Sequence, residues 1–376
     1  MQRDRSFCCQ CLDLLSKFVI NLLNTCSRAD KTCIMKNIAA LLLFTIFLIS
    51  CKKESNSNIK ASKNDSSICF DTVFINPNIQ DGFLAVFFIN ETDGFLTGSN
   101  GGIYRTNDGA KTWTSLNSTT NLPIRDIYFL DNNNGFAVGG ENNCGGTGCI
   151  PPGGFILRTV DGGQNWTQVY TPSRKIEITS ITFTSKLVGF CVGVDMVYKT
   201  TDGGQTWTES KISNLGGNMM KIEFSDSQNG LIICLFDKIL KTTNGGDSWE
   251  ITSAHTGLGY YSVSTSDGVS YVSGQGKILK STDKGTSWIE LANSPSDIFA
   301  IHFTDKNVGY AFGRGNYSGD DFGYSYGSMY CTNDGGSSWN GNGDFKDVGL
   351  IESVSFPTTN IGYAVSGNMI IKISIK

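Results

Sequence analysis

One short phrase recurs six times in this chain of 376 residues: TNDGAKTW (106–113), TVDGGQNW (159–166), TTDGGQTW (200–207), TTNGGDSW (242–249), STDKGTSW (281–288) and TNDGGSSW (332–339). All six tryptophans of the protein, Trp113, Trp166, Trp207, Trp249, Trp288 and Trp339, stand at its last position. A residue type confined to one place in a repeat serves the repeat. The third position holds Asp108, Asp161, Asp202, Asn244, Asp283 or Asp334. Each is a short acceptor that bonds backbone N–H groups about two residues on and closes a turn. The glycines after it supply positive φ at little steric cost. The leading Thr or Ser ends one strand, and the Trp opens the next with a large apolar surface. Each phrase therefore predicts the tip of a β-hairpin whose return strand is anchored by Trp.

A second signature precedes each phrase and occurs once more without it. Its copies are VFFINETDGFLTG (86–98), IYFLDNNNGFAVG (127–139), ITFTSKLVGFCVG (181–193), IEFSDSQNGLIIC (222–234), VSTSDGVSYVSG (263–274), IHFTDKNVGYAFG (301–313) and VSFPTTNIGYAVSG (354–367). Each reads as a strand, a polar turn and a returning strand. A third strand such as MVYKT (196–200) leads into the phrase, and a fourth such as TWTES (206–210) leaves it. Gly is abundant and Pro scarce, 44 against 7, and no helical periodicity is sustained after residue 50, so the chain reads as all-β. Four antiparallel strands per repeat, at Trp-to-Trp spacings of 39 to 53, is the pattern of propeller blades. The seventh repeat has strands at 353–356, 362–366 and 369–373, and there the chain ends. The stray segment CFDTVFI (69–75) supplies the strand it lacks. The expected fold is a seven-bladed β-propeller over 68–376, its ring closed by one N-terminal and three C-terminal strands.

The phrases look like the Asp-box of sialidase-type repeats. The fuller pattern, Gly-Phe-x-Val-Gly followed by [Lys/Arg]-[Thr/Ser]-x-Asp-Gly-Gly-x-[Thr/Ser]-Trp, resembles the photosystem II stability/assembly factor family over about 69–376. That resemblance implies an exported, single-propeller, non-catalytic scaffold that binds partner proteins during assembly of membrane complexes. The chain departs from the family in its front end, in two insertions and in its acidic balance. Residues 1–50 hold six Lys/Arg and three Asp/Glu, which leaves 24 against 31, or −7, for the rest. A folded part of that sign argues against a nucleic-acid backbone as partner.

The front end reads in three pieces. The apolar run NIAALLLFTIFLIS (37–50) follows Met35-Lys36 and is short for a membrane span but right for a signal-peptide core. Leu48-Ile49-Ser50-Cys51 resembles a bacterial lipobox, which implies lipidation at Cys51 and anchoring of the mature chain at the cell envelope. Met35 is then the expected start, with 1–34 a non-native extension. The polar stretch 51–67 reads as a tether.

Strands that run up and down put the second-to-third connections and the blade links on one face. Both long insertions, 139–154 and 313–328, fall there. The first carries Cys144 and Cys149, a candidate disulfide, with zinc ligation as the competing reading. The second carries Tyr317, Asp320, Asp321, Phe322, Tyr324 and Tyr326, a composition suited to an adaptable binding loop or to a solvated one. Arg125, Arg174 and Arg314 map to the same face and either converge on an anion or stand apart as surface residues. Tyr261, Phe299 and Glu352 are expected at the channel mouth, with Tyr128, Glu223 and His302 farther down. The Lys or Arg before each phrase is periodic and reads as structural, with Cys331 the exception. Cys69, Cys191, Cys234 and Cys331 read as buried free thiols, with a pairing among them as the alternative.

With two His in the chain, His255 and His302, in different repeats, a His-rich metal site or a Ser-His-Asp triad is not expected, and neither is a cofactor. A glycosidase needs only carboxylates and stays as the alternative. Yet Pro123-Ile124-Arg125 is not the Arg-Ile-Pro order of sialidases, and xyloglucanases with such boxes carry two propellers. The expectation is a lipid-anchored, non-catalytic propeller that binds an envelope protein or glycan.

Overall fold

The structure, a computed structural model, describes residues 70–75, 77, 79–141, 153–252, 259–314, 327–345 and 348–375. Residue contacts divide the chain into Met1–Ser57 and Asn58–Lys376, and the described residues all belong to the second unit. They form seven four-stranded antiparallel sheets. Six sheets take four consecutive strands each. The seventh takes Ser353–Ser355, Ile361–Ser366 and Met369–Ile375 from the end of the chain and Phe70–Ile75 from its start. Phe70 lies opposite Ile375 and Ile75 opposite Ile370, in unbroken register. The architecture is the expected propeller, closing strand included.

Burial grades outward through each blade. The second strands, such as Gly94–Gly98, Gly189–Gly193 and Gly230–Cys234, are buried along their whole length. They sit between neighbours on both faces and so are apolar without alternation. The outermost strands, such as Thr208–Lys211, are mostly exposed.

The repeat is held by one set of contacts used again and again. A Phe near the end of the first strand lies over a Gly that opens the second. The pairs are Phe88 with Gly94, Phe129 with Gly135, Phe183 with Gly189, Phe224 with Gly230, Phe303 with Gly309, and Phe356 with Gly362. A Cβ on any of these glycines would lie 2.4–2.7 Å from the ring, so the residue is Gly for space rather than for φ. The Trp of the same blade meets that ring edge-on. Trp113, Trp166, Trp207, Trp249 and Trp339 do so at 5.9–6.2 Å between centroids. Trp166 and Trp207 are buried, and the other four tryptophans are half-buried against the core.

The hairpin tips close by a division of labour. Thr200 Oγ1 accepts the Gly204 N–H at 2.9 Å and donates to Asp202 Oδ1 at 2.8 Å. Asp202 Oδ1 in turn accepts the N–H groups of Gln205 and Thr206, three and four residues on. The carboxylate thus reaches farther than the two residues expected, because the Thr hydroxyl already serves the nearer glycine.

The periodic cations are structural. Arg105, Arg158, Lys199, Lys280 and Lys372 lie 5.3–5.9 Å over Phe95, Phe136, Phe190, Tyr271 and Tyr363. Three of them also donate to a carbonyl in the next blade's box: Arg105 to Gly162, Lys199 to Gly245 and Lys280 to Gly335. In blade six this column holds Cys331, and the next blade has no box to receive a cation. Here the free-thiol reading fails, because Cys331 is disulfide-bonded. Cys191 and Cys234 are free and buried, and burial raises both thiol pKa values. Cys69 lies outside the described residues.

Candidate functional site

Where the innermost strands begin, the register slips by one residue in five blades. The slips fall between Phe83 and Ala85, Ile124 and Asp126, Met219 and Lys221, Tyr260 and Ser262, and Ile298 and Ala300. Each slip is a β-bulge, which re-aims the extra residue. Those residues are Leu84, Arg125, Met220, Tyr261 and Phe299. With Thr179 and Glu352 at the matching places in blades three and seven, they ring a cavity of ≈ 480 Å³ at the mouth of the axial channel.

The mouth has an aromatic part and a charged part. Tyr261 and Phe299 lie face to face, with centroids 4.7 Å apart and planes 4° from parallel. The Arg314 guanidinium carbon sits 6.0 Å from the Phe299 ring centre. Arg125 Nε donates to Glu177 Oε1, which closes an ion pair on the cavity wall. Burial raises the pKa of the Glu352 carboxyl, and the nearby Arg125 partly offsets this.

Below the mouth a polar cavity of ≈ 350 Å³ follows the axis, lined among others by Asp126, Tyr128, Glu223 and His302. Asp126 Oδ2 accepts from Ser180 Oγ and the Ile181 N–H, and Lys221 Nζ lies 3.4 Å from it. Burial pushes the Glu223 carboxyl up to about 7, against two hydrogen bonds from Thr265 and the charge of Lys221. Burial pulls the His302 imidazole down to about 4, so it is neutral near pH 7. Its ring stacks on Phe356 at 4.6 Å.

Four residues named from sequence, Arg125, Tyr261, Phe299 and Glu352, line the mouth together. Arg314 joins them through Phe299. Arg174 does not: it pairs with Asp195 at 2.5 Å, beside Lys211. The three arginines thus have three separate partners and share no common anion site. Sequence reasoning missed Leu84, Thr179 and Met220, although each stands two positions before the Val or Ile that opens the second signature. It also missed Glu177, Asn218 and Lys221, which come from blade links and strand starts where the repeats diverge. Both insertions fall between second and third strands, the first after Gly135–Glu141 and before Gly153–Thr159, the second after Gly309–Arg314 and before Gly327–Thr332. Cys51, Cys144, Cys149, Tyr317, Asp320, Asp321, Phe322, Tyr324 and Tyr326 lie outside the described residues. Among the described residues no three His, Cys, Asp or Glu side chains gather as a metal site.

Seven four-stranded blades, six of them sharing the Phe–Gly packing and six carrying the Asp-box, define the class: a seven-bladed propeller with Asp-box repeats. A profile of the family described as Photosynthesis system II assembly factor YCF48 matches residues 159–259 and 213–295. A solved structure of YCF48 bound to a D1 peptide superposes with a TM-score of 0.62 at 21% identity, covering 81% of this chain and 97% of that one. YCF48 from Cyanidioschyzon merolae does so with a TM-score of 0.62 at 16% identity, covering 80% and 98%. The GH74 enzyme of Niastella koreensis has a TM-score of 0.60 at 19% identity, covering 79% of this chain but 53% of the enzyme. At these identities the likeness to the solved structures is one of fold. No curated protein sequence matches this one significantly.

Proposed function

We propose that this chain is a non-catalytic assembly scaffold, lipid-anchored through Cys51 at the bacterial cell envelope, that holds a segment of a partner protein at its channel mouth. The observation that carries this reading is the ring of seven mouth residues. Six of the seven blades keep the same packing contacts, yet at the mouth position the seven blades present Leu84, Arg125, Thr179, Met220, Tyr261, Phe299 and Glu352. Packing alone does not ask for that variety. An aromatic pair beside charged groups suits a short stretch of polypeptide, with apolar side chains against Tyr261 and Phe299 and polar groups at Arg125 and Glu352. A related YCF48 structure has a peptide bound, which supports a protein partner. A glycan partner, or hydrolysis or elimination acting on one, is the competing reading, favoured by the shared fold of a GH74 enzyme.

Affinity capture from native envelopes separates these readings. The wild type should recover a defined partner protein. The double variant Tyr261→Ala/Phe299→Ala, if its circular dichroism is unchanged, should recover at least tenfold less. Cys51→Ser should move the protein from the membrane to the soluble fraction. Equal recovery by the double variant would remove the mouth from this reading. Turnover of a glycoside panel, lost on Glu352→Gln, would replace it with the enzymatic one.

A further inference from the structure

Six of the seven joints between neighbouring blades carry a stacked ring pair. The pairs are Phe95–Phe129, Phe136–Phe183, Phe190–Phe224, Tyr271–Phe303, Tyr310–Phe356 and Tyr363–Phe88, with centroids 3.4–5.1 Å apart. At the joint between blades four and five those two places fall to Leu231 and Thr265. The change is concerted. With no ring at 265, the residue facing it is Ser270, where the other blades need Gly. This joint has lost both the ring contact and the close approach that came with it.

The same joint differs on its channel side. Elsewhere a serine of one blade caps a backbone N–H of the next: Ser264 Oγ accepts from Phe303 N and Ser355 Oγ from Phe88 N, each at 2.9 Å. At the joint of blades four and five the capping group is the carboxylate of Glu223. Its Oε1 accepts the Thr265 N–H at 2.7 Å and the Thr265 hydroxyl at 3.0 Å. An ionisable group, half-buried on the channel wall, does here what a neutral hydroxyl does at two of the other joints.

We propose that this joint is a proton-sensitive seam, closed tightly while Glu223 is protonated and loosened when it ionises. The titratable groups that share the channel cavity with Glu223 are Lys221, Asp126, Tyr128, His302 and Glu352, the last also raised by burial. Lys221 of the same strand favours the anion but lies against Asp126 of blade two. His302 of blade six is neutral near pH 7. Tyr128 donates to the Phe183 carbonyl. The flanking innermost strands bring hydroxyls to the channel: Ser180 and Thr182 from one side, Ser262 and Ser264 from the other. Packing on the channel wall pushes the Glu223 carboxyl up from 4.5 to about 7, so the closed joint holds a proton that an opened, hydrated Glu223 would release. Opening is therefore favoured as pH rises through that interval and levels off above it.

Amide hydrogen exchange on the intact protein tests this, because the Phe303 and Phe88 amides are internal controls at the same structural position. After correction for intrinsic rates, the opening constant at Thr265 should rise on the order of a hundredfold between about pH 5 and pH 8. The two control amides should change by less than about threefold. Glu223→Gln should abolish the rise at Thr265. If that variant does not fold, the repeat-restoring variant Glu223→Ser/Leu231→Phe/Thr265→Phe/Ser270→Gly should bring residue 265 to the pH-independent protection of Phe303. A Thr265 amide that tracks its two counterparts in the wild type, or a rise that survives loss of the carboxyl, would overturn the proposal.

Discussion

At the scale of single residues, the chain runs an experiment on itself, because each packing position is sampled seven times. Six blades pair Phe with Gly, and the one that lacks the Phe also lacks the Gly. That covariation within one sequence identifies the glycine as a spacer. Gly309→Ala should accordingly cost about 1–3 kcal/mol through overpacking against Phe303. Ser270→Gly, at the equivalent place in blade five, should cost less than about 1 kcal/mol. Urea denaturation midpoints of the two variants would check the difference. The box carboxylates make a second contrast. Asp202, Asp283 and Asp334 are held down to about 2, chiefly by hydroxyl hydrogen bonds from Thr206, Ser287 and Ser338. A depressed carboxyl stabilises the fold above its ordinary pKa and loses that contribution as pH falls through the folded value. Stability should therefore fall between about pH 4 and pH 2. Asp283→Asn should flatten its share of that fall, since Asn244 already accepts the matching bonds from Thr242 and Ser248 without titrating. Thermal melts across that pH range give the readout.

At the scale of elements, the closing strand Phe70–Ile75 has the largest consequence. Among the described residues it pairs with Met369–Ile375 as the outermost strand of the seventh sheet, and without it that sheet would have three strands and the edge of Met369–Ile375 unpaired. Deletion of 68–76 should abolish cooperative melting or lower the melting temperature by more than about 10 °C, measured by calorimetry, because six paired residues that join the two ends of the chain go with it. Most elements were legible from sequence. The strand expected at 353–356 is Ser353–Ser355, and those at 69–75 and 369–373 are Phe70–Ile75 and Met369–Ile375. The bulges were not legible. An extra residue at the head of a strand leaves the apolar alternation intact from the next residue on, so periodicity passes over it. Yet those residues furnish most of the mouth.

At the scale of the whole molecule, the ring makes a channel from side chains that are far apart in the chain. Val86 N donates to Ser353 Oγ across the closure, at a separation of 267 residues. Lys221 meets Asp126 from two blades away along the ring. The mouth and the channel beneath it share Lys221, Glu352 and Ser353, so a segment seated at one borders the other. Loosening at the fourth joint would therefore alter the wall on which Met220 and Tyr261 stand, which ties the proton-sensitive seam to the proposed binding face.

The sequence by itself determined the number of blades, the strands in each, the closing segment and the face on which the repeats become individual. Those properties are local or periodic, written in turn chemistry and in a pattern copied along the chain. It also named Tyr261 and Phe299 without indicating that their rings stack. Only the tertiary structure decided which arginines find carboxylates of their own, that Cys331 is bonded, that Glu223 caps Thr265 of the next blade and that one joint lacks its ring pair. Each of these depends on contacts between blades, and such contacts exist only once the ring has brought distant residues within reach of one another.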